Sequence, residues 1–134
     1  MAHREGLLMK ASILLALALI STAQAAEPTG TLTLACTGTQ TYQGGVGIGS
    51  QQINRSIIVD FQKKSVLGLS DSRVAISNVD ETTITLSGAD TGWVMNGGID
   101  RVTGSLYAVF DQVDPTTRQT ILSTSYNLQC QPAQ

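Results

Sequence analysis

The sequence predicts an all-β protein: a single antiparallel meander of about eight or nine strands, forming a small barrel or a two-layer sandwich. Three observations predict it. Beyond Glu27, turn signals return roughly every ten residues. The apolar residues between them alternate with polar ones, and no helical spacing persists there. Finally, Cys36 and Cys130 stand near the two ends of this region. A bond between them ties the first strand to the last and favours a barrel, because closure removes exposed sheet edges.

Residues 1–25 read as a secretory signal peptide. His3, Arg4 and Lys10 make a basic start, and Ile13 to Ile20 make an apolar run. That run is shorter than the roughly 20 residues a membrane-spanning helix needs. Ala23-Gln24-Ala25 then offers small residues to a peptidase, so cleavage is expected after Ala25. The expected product is a single β domain, residues 26–134, in the periplasm or outside the cell, with no membrane span after cleavage. Lipid attachment is rejected, since Cys36 lies too far beyond the apolar run. In an oxidising compartment Cys36 and Cys130 should form a disulfide.

The elements follow in order. Glu27 to Gly30 is a polar lead-in, and Thr31 to Cys36 alternates strictly, with Leu32, Leu34 and Cys36 on one face. The glycines of Gly44 to Gly49 predict a mobile loop or a glycine-weakened strand. No Gly-Lys-Ser/Thr or helix-opening turn accompanies them, so a phosphate cradle is not expected. Arg55 to Phe61 is a strand with Ile57, Val59 and Phe61 together, Lys63-Lys64 turns it, and Ser65 to Leu69 runs back. Ser70-Asp71-Ser72 leads into Arg73 to Val79, and Asp80-Glu81 leads into Thr82 to Ser87. Gly88 to Gly92 reads as a turn before Trp93-Val94-Met95.

Gly97 to Leu106 then reads as a hairpin. Asp100 is placed to accept bonds from backbone N–H groups just ahead of it, and Gly104 takes the positive φ that closes the turn. Arg101 is read first as a solvated turn residue, with a salt bridge to a nearby acid or a partner contact as the alternatives. Ser105 to Phe110 leaves it with Leu106, Ala108 and Phe110 on one face, and Asp111 to Arg118 is the last reversal. In Gln119 to Cys130, Leu122, Tyr126, Leu128 and Cys130 share a parity. Each cysteine therefore shares a face with leucines, which puts the bridge on the core side. The spacing Val59-Asp60 to Ser65-Val66 repeats that of Ile99-Asp100 to Ser105-Leu106, as two hairpins with the same turn.

The charges and side-chain chemistry narrow the function. Past residue 25 acidic residues outnumber basic ones, so nucleic acid, which needs a basic face, is not an expected partner. His3 is the only histidine and is lost with the leader. Ser-His-Asp and Cys-His catalysis and histidine-bound metals are thereby excluded. Paired carboxylates remain available for a hydrolase, but capping of local N–H groups accounts first for Asp60, Asp71, Asp80, Glu81, Asp90, Asp100, Asp111 and Asp114. Calcium at Asp80-Glu81 or at Asp111 with Asp114 lacks a spaced acidic loop. Trp93 with Tyr107 is a candidate sugar-stacking pair, although a single tryptophan in a small β domain is more often core.

Leu34-Ala-Cys36-Thr-Gly-Thr39, Ser56-Ile-Ile-Val-Asp-Phe61, Gly98-Ile-Asp-Arg-Val-Thr-Gly104 and Tyr126-Asn-Leu-Gln-Cys130-Gln-Pro132 together resemble a group of small, exported, β-rich proteins of soil alphaproteobacteria of the rhizobial type. The resemblance carries over no catalytic or binding residue and no cofactor, and Gly44 to Gly49 departs from the group's pattern. The reading that follows is a non-enzymatic exported module that binds a protein or an envelope component. The alternatives are an inhibitor of an exported enzyme such as a lysozyme, by fold analogy, and a carboxylate-only hydrolase.

Overall fold

The computed structural model describes residues 29–133 except 46 and 72. The leader reading of residues 1–25 lies outside the described residues. Eight strands follow in order: β1 (Thr31–Gly44), β2 (Gly47–Asp60), β3 (Ser65–Leu67), β4 (Val74–Val79), β5 (Thr83–Asp90), β6 (Trp93–Asp100), β7 (Ser105–Val113) and β8 (Thr120–Pro132). Each pairs antiparallel with the next, and β8 returns to pair with β1 along Leu34↔Pro132 to Gly44↔Leu122. The sheet is a closed barrel, not a sandwich.

Alternation fills it. Leu34, Ile57, Val59, Val66, Val74, Ile84, Leu86, Met95, Ile99, Leu106 and Leu128 point inward and are almost completely buried. The outward positions of β1, β2 and β8 are mostly Thr, Ser, Asn and Gln, the reverse of a lipid-facing barrel. Cys36 and Cys130 are bonded and lie on the interior face, each buried beside core leucines.

Closing a sheet of eight strands needs sharp coiling, and two inward glycines permit it. At Gly38 a Cβ would stand 2.1 Å from the Asn127 carbonyl oxygen, and at Gly97 2.4 Å from that of Tyr107. Neighbouring backbones occupy the space a side chain would take.

Several boundaries differ from the sequence reading. Of the two readings of the glycine-rich stretch, the glycine-weakened strand holds and the loop shrinks to the turn between Gly44 and Gly47: β1 and β2 pair without a break as far as Gly44↔Gly47, and the Tyr42 ring covers Gly49. A cross-strand aromatic supplies the packing that glycine lacks. Gly88 to Asp90 continue β5, with Trp93 over Gly88, so that turn shrinks to Thr91-Gly92. Asp111 belongs to β7 and not to the reversal after it. β3 ends at Leu67, where Gly68, at φ 97°, turns the chain and Leu69 drops into the core.

Candidate functional site

The two ends of the barrel are built differently. One gathers the turns after β2, β4 and β6. There Asp100 Oδ1 accepts the backbone N–H groups of Val102 (2.8 Å) and Thr103 (2.9 Å), and Gly104, at φ 84°, donates to the Asp100 carbonyl at 2.8 Å. The hairpin reading of Asp100 and Gly104 holds. Asp80 makes the same use of Thr82 and Thr83.

Arg101 is the exception, for it is not a solvated turn residue. It is 2% exposed and fills this end of the barrel above Ile99. Its backbone N–H donates to Thr82 at 2.8 Å, and its Nη1 donates to the Asp80 carbonyl. Nε and Nη2 find no partner among the described residues. Burial pulls the guanidinium pKa down, and the charges of Asp80 and Glu81 pull it back up. Phe61, also buried at this end, donates its backbone N–H to the Gly30 carbonyl at 2.9 Å.

The other end is open. A cleft of about 350 Å³ is lined by Gly92, Trp93, Phe110, Asp111, Gln112, Leu122 and Thr124. The ladders explain the grouping: Trp93↔Gln112, Met95↔Phe110, Phe110↔Thr124 and Gln112↔Leu122 are opposed pairs, so their side chains share the inner face. An aromatic file continues inward. Trp93 and Phe110 have centroids 6.3 Å apart, and Phe110 meets Tyr126 edge-on at 5.7 Å. The Arg55 guanidinium carbon stands 5.9 Å from the Tyr126 ring centroid, and Gln40 Nε2 donates to the Tyr126 hydroxyl at 3.2 Å. Burial pushes the Tyr126 phenol up, while Arg55 opposes that shift.

Arg55 and Gln40 were legible by parity. Arg55 shares it with Ile57 and Val59, and Gln40 with Leu34 and Cys36. The proposed Trp93 and Tyr107 patch does not form: Trp93 faces inward onto Phe110, while Tyr107 sits on the outer face and is half exposed. Five of the eight acids are committed to their own turns. Asp60, Asp80, Asp90, Asp100 and Asp114 each accept a backbone N–H of their own turn. Among the described residues no group of His, Cys, Asp and Glu could hold a metal ion.

The chain matches no protein-family model, no curated protein and no solved structure. Chemically, the open end is an aromatic-walled cleft lined as well by Leu122, with Asp111, Gln112 and Thr124 as its polar residues.

Proposed function

We propose that this is an exported, non-enzymatic binding module that takes an envelope component into the open end of its barrel. One observation carries the reading: a cleft of about 350 Å³ opens between Trp93, Phe110, Leu122 and Thr124 at one end of the barrel, while Arg101 and Phe61 are buried at the other. Small barrels hold single ligands at their mouths when side chains leave room there. The ligand that fits presents a ring or short chain to Trp93 and Phe110 and hydrogen-bonding groups to Thr124 and Gln112. The commitment of the turn aspartates to their own backbones weighs against the carboxylate hydrolase.

Trp93 is the only tryptophan, so its fluorescence reports directly on the cleft. The protein is titrated with fractionated envelope extract, together with the Thr124→Arg variant, whose side chain fills the recess. A fraction that shifts Trp93 emission in the unaltered protein and not in the variant supports the reading. A protein that captures an envelope component equally well with Thr124→Arg binds it elsewhere. Inhibition of lysozyme that survives the substitution would favour the inhibitor alternative.

A further inference from the structure

The inner face of the barrel changes character along its length. On β2 the inward residues Val59 and Ile57 are completely buried, but the next two toward the Gly47 end, Arg55 and Ile53, are only partly so. On β1, Leu34 and Cys36 are buried, whereas Gln40 is half-buried and Tyr42 is exposed. The register places Arg55 opposite Cys36, whose side chain lies in the core, so Arg55 also points inward. The interior thus opens from the level of Arg55 toward the Gly44 to Gly47 turn, the end of the barrel that holds the cleft.

One run of contacts joins that cleft to Arg55. Trp93 on β6 meets Phe110 on β7, Phe110 meets Tyr126 on β8, Tyr126 stands opposite Gln40 on β1, and Arg55 on β2 lies over the Tyr126 ring. The wall is therefore apolar on one side and cationic on the other. Gln51 Nε2 donates to Gln40 Oε1 at 2.9 Å, which turns the Gln40 amide so that its own Nε2 donates to the Tyr126 hydroxyl. A hydroxyl that accepts in this way still has its proton to give. Among the described residues nothing accepts that proton, and no carboxylate or carbonyl pairs with the Arg55 guanidinium. Arg101 and Arg73, by contrast, donate to the Asp80 carbonyl and the Ser65 hydroxyl.

We propose that Arg55 and the Tyr126 hydroxyl receive the carboxylate of a ligand whose apolar body lies against Phe110 and Trp93. The proposal rests on the open-end reading above and names the class of molecule that end takes: a monocarboxylate carried on a short chain or ring. Guanidinium N–H groups match the two oxygens of a carboxylate, and the bonds they form are charge-assisted. One cation beside one neutral donor suits a single negative charge. A dianion such as a phosphate monoester fits worse, because Asp71, between β3 and β4, already brings a negative charge to bear on Tyr126. Asp71 is itself exposed and makes no ion pair with Arg55, so it weakens the field there without occupying the donors. A neutral ligand would leave the Arg55 donors to water and gain nothing from them.

Octanoate and octan-1-ol share a chain and differ in the head group. Each is titrated into the purified protein at neutral pH, below its micellar or solubility limit, and followed by Trp93 fluorescence and calorimetry. Octanoate is expected to shift Trp93 emission and to bind about tenfold or more tightly than octanol, the scale of a charge-assisted contact. Arg55→Met keeps a stem over Tyr126 and discards the charge. With its circular dichroism spectrum unchanged, it is expected to bring octanoate down to the affinity of octanol and to leave octanol unaffected, while Asp71→Asn is expected to tighten octanoate alone. Equal binding of the two probes by the unaltered protein overturns the carboxylate assignment and leaves the open-end reading standing. A preference for octanoate that survives in Arg55→Met overturns the assignment as well. So does the failure of both probes to shift Trp93 emission, and whether envelope extract still shifts it then decides the open-end reading separately.

Discussion

Cys36 and Cys130 stand directly opposite each other in the β1 to β8 ladder, bonded across a sequence separation of 94 residues and buried on the interior face. The bond closes the barrel at the one seam that joins strands distant in sequence. A link over so long a loop removes much of the freedom of the unfolded chain. Replacing both cysteines by alanine is expected to cost about 2–5 kcal/mol. Urea unfolding with and without reductant checks this; an unchanged midpoint after both thiols are shown to be free would contradict it.

Three turns share one construction, in which an aspartate is followed four residues later by a residue with positive φ: Asp60 with Lys64 (φ 53°), Asp100 with Gly104 (φ 84°) and Asp114 with Arg118 (φ 65°). Only one of these positions carries the residue that suits left-handed backbone. Gly104→Ala is expected to destabilise by about 1 kcal/mol. Arg118→Gly removes the Cβ penalty at the cost of greater unfolded-state freedom, and is expected to be neutral or stabilising by a few tenths of a kcal/mol, roughly. Thermal melts of the two variants should move apart.

Those turns also show what was legible in the sequence. Side-chain alternation carried the strands, the core face and the cysteine bridge, because a period of two is imposed directly by the pleat. The shared turn was visible at Asp60 and Asp100 but missed at Asp114, where a proline at the next position obscured it. Gly44 to Gly49 left loop and weakened strand both open, because glycine's weakness as a strand residue is local, while the Tyr42 ring that packs over Gly49 comes from the partner strand. Arg101 misled. Nothing local distinguishes an arginine beside a turn that reaches into solvent from one that folds back under the barrel. The open end was hidden for a related reason, since Trp93, Phe110, Leu122 and Thr124 meet only through the two ladders that join β6, β7 and β8.

Stability should fall in acid and stay flat near neutrality. Backbone N–H groups of Thr82 and Thr83, Thr103 and Val102, and Thr117 and Thr116 hold Asp80, Asp100 and Asp114 below the ordinary carboxylate value of 3.8. A group whose folded pKa is depressed contributes stability above its unfolded pKa and loses it as pH falls through the folded one. Unfolding free energy is therefore expected to hold from neutral pH down to about pH 4 or 5 and then decline. The described residues contain no histidine, so none of them adds a step near pH 6. Replacing Asp80, Asp100 and Asp114 together by asparagine keeps an acceptor in each turn and should flatten the acid limb.

Coiling at Gly38 makes a sharper prediction. Its missing Cβ would lie 2.1 Å from the Asn127 carbonyl oxygen and 2.8 Å from the Leu128 Cα, both backbone atoms of β8. Backbone cannot rotate aside as a side chain can, so Gly38→Ala is expected to cost about 1–3 kcal/mol or more and to strain the seam that carries the disulfide. Gly45→Ala is the control, because nothing lies within 4 Å of its Cβ position. It should change stability by less than about 0.5 kcal/mol. Equal melting shifts in the two variants would show that β1 and β8 do not approach as closely as the register requires.

Arg101 separates shape from charge in closing the barrel. Its side chain is buried at that end, whereas two of its guanidinium nitrogens find no partner among the described residues and its charge is opposed by burial. A buried charge with unsatisfied donors contributes less than its packing suggests. Arg101→Met keeps most of the volume and discards the unpaired groups. It gives up the bond from Nη1 to the Asp80 carbonyl, so it is expected to stay within about 1 kcal/mol of the unaltered protein. Arg101→Ala empties the end and is expected to cost about 2–5 kcal/mol, as large-to-small changes in a core do. Urea unfolding of both decides between the roles. If methionine destabilises as much as alanine, the guanidinium and the charges of Asp80 and Glu81 hold that end shut, and packing alone does not.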